Sequence, residues 1–283
     1  SSHFGSRSSF CLHCRESTVS ILRPVLPSSQ STRCCMRLFI HNVDTYLGKV
    51  LVKELRRADV GFHRIFGTAK NPDDAPKVVK RIVSREDPKK MKKMTETIHS
   101  CKVIVIDLFN CTEEDLHFII STLKVDPKTR KPTGELESDV TLLLVSSVMV
   151  WADTRPEVEG GPLRDSDYQR RAPSPGSKYE QWRELENLVM ECFNQEGSMV
   201  KAFVVAGGVL YGEGEETFSQ LFRDAWRGVQ EQVVVAPGTN RMPTVHVRDL
   251  ARLMRHVAYG EGLSPAEAPY FLAVDQPPAR GAE

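Results

Sequence analysis

Two near-continuous apolar runs, residues 102–109 (KVIVIDLF) and 140–150, constrain this chain more than any other feature. A strand that is apolar at almost every position belongs to a sheet covered on both faces, and such sheets are parallel, with helices as crossovers. The segments between such runs supply the helices. In residues 46–57, Leu47, Val50, Leu51 and Leu55 recur at helical spacing directly after a short apolar run at 37–42. The same alternation predicts strands at 63–68, 78–84, 200–206, 232–236 and 270–274, and helices at 91–100, 113–123, 178–195, 217–228 and 247–259. Residues 124–139 and 151–177, rich in proline and glycine, read as loops. Nothing repeats at a fixed period. The expected class is α/β, a doubly wound parallel sheet.

Composition narrows the function classes. Thirty-eight basic and 37 acidic side chains leave a net charge of +1, which gives no electrostatic reason for nucleic acid as the main partner. The longest apolar run is interrupted by Thr141, Ser146 and Ser147, so no membrane span is expected. Seven cysteines, an odd number, argue against a disulfide framework and for a reducing compartment. Residues 1–35 carry Arg7, Arg15, Arg23 and Arg33 against Glu16 alone, the bias of a mitochondrial transit peptide, yet the first residue is Ser and Met36 immediately precedes the first strand. They read as a disordered segment ahead of one domain at 36–283. Cys11, Cys14, Cys34 and Cys35 could ligate zinc by count, but two are adjacent and the spacing is not finger-like. They read as free thiols, and the sequence offers no metal site. One local charge bias stands out: Lys77, Lys80, Arg81, Arg85, Lys89, Lys90, Lys92 and Lys93. It is a solvated face or a contact surface for a polyanionic partner such as the microtubule.

The turn after the first strand is where glycines let a backbone approach the phosphates of a dinucleotide at a helix N-terminus. It reads His41-Asn42-Val43-Asp44-Thr45-Tyr46-Leu47-Gly48. Against the T-G-x-x-G-x-x-G pattern of extended short-chain dehydrogenases, which the chain resembles, only Gly48 matches a glycine. Asn42 tolerates the positive φ of the first position, whereas Thr45 would crowd a phosphate. Asn42, Thr45, Tyr46, Leu47, Gly48 and Ser146 are thus vestigial cofactor-binding candidates. After the second strand Gly67-Thr68-Ala69-Lys70 stands where an acid would hold the ribose, so NAD specificity is not supported.

The stretch V-S-S-V-M-V-W-A at 145–152 resembles the segment that carries the catalytic serine, with Ser146 and Ser147 as its pair. The expected Tyr and Lys four residues apart become Tyr179 and Arg183, or Lys178 takes the tyrosine position if Glu186 sets the alignment. Arginine stays protonated and is bulkier than lysine, so it cannot replace it without cost to geometry. If catalysis survives, Ser147, Tyr179 and Arg183 carry it with NAD(P); otherwise the chain is expected to use no cofactor. His246 and Asp249 suggest an acid/base pair, but this segment opens a helix and Asp249 suits its first turn.

The combination of V-M-x-W-A, then Asp167-Tyr168-Gln169-Arg170-Arg171, then the segment from Met242 to Ala251 resembles the adenylate kinase 7 family from about Met36 to Pro277. That resemblance implies a degenerate, dehydrogenase-like Rossmann domain from a protein of motile axonemes, with axonemal proteins as partners and the cytoplasm and cilium as location. It also implies full-length relatives with a nucleoside-monophosphate kinase domain. These 283 residues contain no G-x-x-x-x-G-K phosphate loop, so phosphoryl transfer is not expected of them.

Overall fold

A computed structural model describes residues 36–56, 62–84, 86–124, 140–159, 161–214, 216–233, 238, 242–259 and 269–275. The expectations for residues 1–35 and for the loop at 125–139 fall outside it. Seven parallel strands form one sheet in the order β3-β2-β1-β4-β5-β6-β9: β1 Met36–Ile40, β2 Phe62–Gly67, β3 Arg81–Ile82, β4 Val103–Asp107, β5 Val140–Ser147, β6 Val200–Gly207 and β9 Tyr270–Ala273. The chain winds outward through β2 and β3, then returns to β4 on the other side of β1. The switch point between β1 and β4 is where ligands bind in sheets of this kind.

Alternation along the strands feeds two cores. Phe39, Ile104, Ile106, Leu142 and Leu144 face α2 (Pro88–His99), α3 (Glu113–Leu123) and α4 (Tyr179–Phe193). Leu38, Ile40, Val103, Val105, Leu143 and Val145 face α1 (Tyr46–Leu55) and α6 (Val247–Tyr259). Caps fix the helix starts. Thr45 accepts from the Gly48 amide, Asp87 from Lys90 with Pro88 in the first turn, and Thr112 from Asp115.

The departures from expectation have local causes. The strand expected at 78–84 shrinks to two residues because the Val79 amide donates to Pro76 O, turning the chain just before it. The strand expected to reach Val150 stops at Ser147, whose Oγ accepts from the Met149 amide and starts a 3-10 turn over Val148–Trp151. The loop at 151–177 holds a second 3-10 turn, Asp165–Arg170. Asp165 Oδ1 accepts from the Leu272 amide at 2.7 Å, which covers the outer edge of β9. No strand forms at Gln232 or Val233, and the rest of that expected strand lies outside the described residues. A short parallel pair, β7 Val209–Tyr211 with β8 Thr244–His246, was not expected. The helix α5, Ser219–Trp226, buries none of its residues.

Candidate functional site

The turn between β1 and α1 keeps the dinucleotide-binding backbone while its own side chains fill it. Asn42 has φ of 58°, the left-handed conformation that the first glycine would supply. Its amide donates to Thr68 Oγ1 at 2.8 Å, that hydroxyl donates to Asn42 Oδ1 at 3.1 Å, and Asn42 Nδ2 donates to Asn110 O at 2.6 Å. One side chain thereby ties β1 to the ends of β2 and β4. Thr45 Oγ1 donates to Asn42 O at 2.9 Å and accepts from the Gly48 amide at 3.2 Å. A helix N-terminus that would otherwise offer its amides to phosphate is capped from within. Gly48 remains obligatory, since a Cβ there would lie 2.3 Å from Asn42 O. Leu47 is buried in the core and makes no site.

A second segment closes over the same helix end. Tyr46 donates its hydroxyl proton to Gly212 O, and Glu213, held at φ of 39°, pairs with Arg248 and, at 3.2 Å, with Lys53. The groove beneath, about 560 Å³, mixes Asp44, Glu213 and Glu216 with Lys49, Lys53 and Lys70. Lys70, beyond β2, donates to Asn110 Oδ1 at 3.0 Å. Asp44 Oδ1 and Oδ2 accept from the Lys70 and Asn71 amides. Asp107, at the end of β4, accepts from the Phe109 amide and from Asn110 Nδ2; burial holds its carboxyl above the usual range against these bonds.

The residues expected for dehydrogenase chemistry meet other partners. Ser146 is fully buried and faces Glu186; Ser147 Oγ caps the 3-10 turn. Tyr179 stands at the start of α4 with its ring edge-on to Trp182, centroids 5.3 Å apart, and Lys178 Nζ 5.2 Å from its centroid. Arg183 lends its backbone carbonyl to Arg171 at 3.5 Å. Tyr179 precedes Glu186 by seven residues, about 10 Å along a helix axis. His246 Nδ1 accepts from the Arg248 amide at 3.2 Å, and Asp249 accepts from Arg252 at 2.8 Å, so the two serve separate local contacts.

The motifs that set this chain apart from general dehydrogenase wording converge in a buried polar cluster. Arg171 donates to Glu186 Oε2 at 2.7 Å, to Tyr168 O at 2.6 Å and to Asn187 Oδ1 at 2.5 Å. Tyr270 donates to Glu186 at 3.2 Å and accepts from Trp151 Nε1 at 3.0 Å. The Arg171 guanidinium lies 5.2 Å from the Tyr270 ring centroid, and Tyr168 stacks on that ring. Burial pushes the Glu186 carboxyl up, opposed by Arg171, Ser146 and Tyr270; burial and then the Glu186 charge raise the Tyr270 phenol well above its ordinary value. Trp151 and Arg171 belong to the V-M-x-W-A and D-Y-x-R-R words, whose role as a staple between the 151–177 loop, α4 and β9 was not readable from their spacing.

The fold is that of the Rossmann-type extended short-chain dehydrogenases and epimerases. The dTDP-glucose 4,6-dehydratase of Bacillus anthracis in complex with NAD matches 84% of this chain and 75% of its own with a TM-score of 0.58 at 13% identity. The UDP-N-acetylglucosamine 4-epimerase of Bacillus cereus does so with the same two coverages, a TM-score of 0.56 and 12% identity. MoeE5 in complex with UDP-glucuronic acid and NAD gives 0.57 at 15%, over 83% of this chain and 75% of its own. In sequence, the chain is similar to adenylate kinase 7. The mouse protein is 27% identical over 154 residues, 53% of this chain and 24% of that protein. The Macaca fascicularis protein is 32% identical over 93 residues, 32% of this chain and 16% of that protein. The matched regions thus span less than a quarter of either relative. No family model matches the sequence.

Proposed function

We propose that this chain is a non-catalytic interaction module on a dinucleotide-binding scaffold, carried by an adenylate kinase 7-like protein of the motile axoneme. The observation that carries the reading is the filled phosphate turn: Asn42 and Thr45 spend their polar groups on Thr68, Asn110 and Gly48, where glycines would leave amides exposed. The loop at Gly212 adds to this, since Tyr46, the first residue of the same helix, is tied to its backbone carbonyl. The similarity to adenylate kinase 7 supports the axonemal setting, and the kinase activity implied by that name belongs in this reading to other parts of such proteins.

The partner surface is the basic stretch from Lys77 to Lys93. Lys77, Lys80, Arg81, Lys89, Lys92 and Lys93 are all exposed, while Lys90 is engaged by Glu86 at 2.5 Å; Arg85 lies outside the described residues. Axonemal proteins with acidic surfaces, including the microtubule, fit this charge. Co-sedimentation with demembranated axonemes tests it. The chain is expected in the pellet and is lost from it with Lys89→Glu, Lys92→Glu and Lys93→Glu combined; equal pelleting of that variant overturns this surface. The rival reading, an NAD(P)-dependent oxidoreductase or epimerase using Ser147, Tyr179 and Arg183, requires the cofactor to bind, which a calorimetric titration with NADH and NADPH decides.

A further inference from the structure

We propose that His41, Cys111 and Asp115 form a binding site for a zinc-class divalent ion at the switch point of the sheet. His41 follows β1, and Cys111 and Asp115 flank the start of α3 after β4, so the topology brings His41 to two residues 70 and 74 positions further along the chain. One ligand atom from each, an imidazole nitrogen, a thiol sulfur and a carboxylate oxygen, all lie within 4.8 Å of one another. His41 Nε2 is 3.7 Å from Asp115 Oδ2. Ligand atoms around a tetrahedral zinc ion lie about 3.3–3.8 Å apart, given bonds of about 2.0–2.3 Å. The trio therefore needs a contraction of about 1 Å, which the half-buried Cys111 can supply from its loop.

The donor set selects the ion. Nitrogen and sulfur disfavour magnesium and calcium, which take oxygen, and favour zinc and its neighbours. Cys111 now donates its thiol proton to Thr112 O at 3.2 Å; the ion replaces that proton, which leaves to solvent, and the adjoining helix N-terminus favours the thiolate. Asp115 Oδ2 is oriented by the Thr112 hydroxyl at 2.7 Å. His41 Nδ1 sits 3.1 Å from Asn42 Nδ2. Coordination through Nε2 places the ring proton on Nδ1, so the Asn42 amide must give up that contact, which limits the affinity. Three protein ligands leave a fourth position, and two of them, His41 and Asp115, border a cleft of about 390 Å³ together with Thr68, Ser84, Glu86 and Glu114. Zinc with three protein ligands characteristically keeps that position for water or another small ligand.

The test is a cobalt titration of the full chain carrying Cys11→Ser, Cys14→Ser, Cys34→Ser and Cys35→Ser, which removes the competing thiols of the N-terminal segment. One equivalent of Co²⁺ is expected to produce a near-ultraviolet thiolate-to-cobalt band that Zn²⁺ displaces. Adding Cys111→Ser abolishes that band, whereas Asp115→Asn keeps it and weakens binding at least about tenfold. Adding Cys192→Ser changes neither. Absence of a saturable band in the parent, or an undiminished band in the Cys111→Ser chain, overturns the proposal. Circular dichroism of each variant confirms that it is folded, so a lost band reports the ligand alone.

Discussion

Replacing Arg171 with methionine separates a buried ion pair from its surface neighbour within one sequence word. The Arg171 and Glu186 side chains are 3% and 0% exposed, so neither charge is relieved by water. The substitution deletes bonds to Glu186, Tyr168 O and Asn187, all at 2.5–2.7 Å, and leaves the Glu186 carboxylate enclosed with the Tyr270 hydroxyl as a remaining donor. Breaking a buried pair from one side costs about 3–5 kcal/mol, a large part of the roughly 5–15 kcal/mol that holds a domain together. Urea denaturation at neutral pH measures it as a fall in midpoint at constant slope. Two internal controls sharpen the assay. Arg170→Met, next door, removes a half-exposed guanidinium from Asp167, which is 11% exposed and keeps the Arg164 amide as a donor, so it costs no more than about 1 kcal/mol. Arg171→Met combined with Glu186→Leu recovers at least half of the loss, because the uncompensated charge is gone. A loss below about 1 kcal/mol for Arg171→Met, the range of an exposed pair, would show that Arg171 and Glu186 do not act as a buried ion pair.

Gly48→Ala is expected to destabilise by more than about 2 kcal/mol despite alanine's better helix propensity, because the new methyl lies 2.3 Å from a backbone oxygen that cannot move aside; wild-type stability in urea would contradict it. The Glu186 carboxyl has a folded pKa above its ordinary 4.5, so the folded state holds the proton after the unfolded chain has released it. Its contribution to stability is therefore greatest below 4.5 and falls as pH rises through the window up to the folded value. Glu186→Gln should flatten the stability profile over that window, and an identical slope in wild type and variant would count against a raised carboxyl.

What could be read from the sequence depended on range. The helices α3 and α6 carry clean periodicity and match expectation, and the apolar runs at 102–109 and 140–150 do form strands, each shorter than its run, over 103–107 and 140–147. Where pairing is decided at a distance, reading failed. β7 and β8 are three residues each and exist only because residues 209–211 meet 244–246. Asn42 was recognisable as a residue that tolerates a positive φ, but its bonds to Thr68 and Asn110 join positions 26 and 68 apart. The buried cluster was visible only as unusual wording: nothing in the spacing of Trp151, Arg171, Glu186 and Tyr270 shows that four elements bring them to one point.

A phosphate turn filled by the side chains of Asn42 and Thr45 leaves no amides free for a dinucleotide. Calorimetric titration of the folded chain with NADH and with NADPH tests it most directly. No saturable heat is expected for either, with any dissociation constant weaker than about 1 mM. Saturable binding in the micromolar range by the wild-type chain would contradict it.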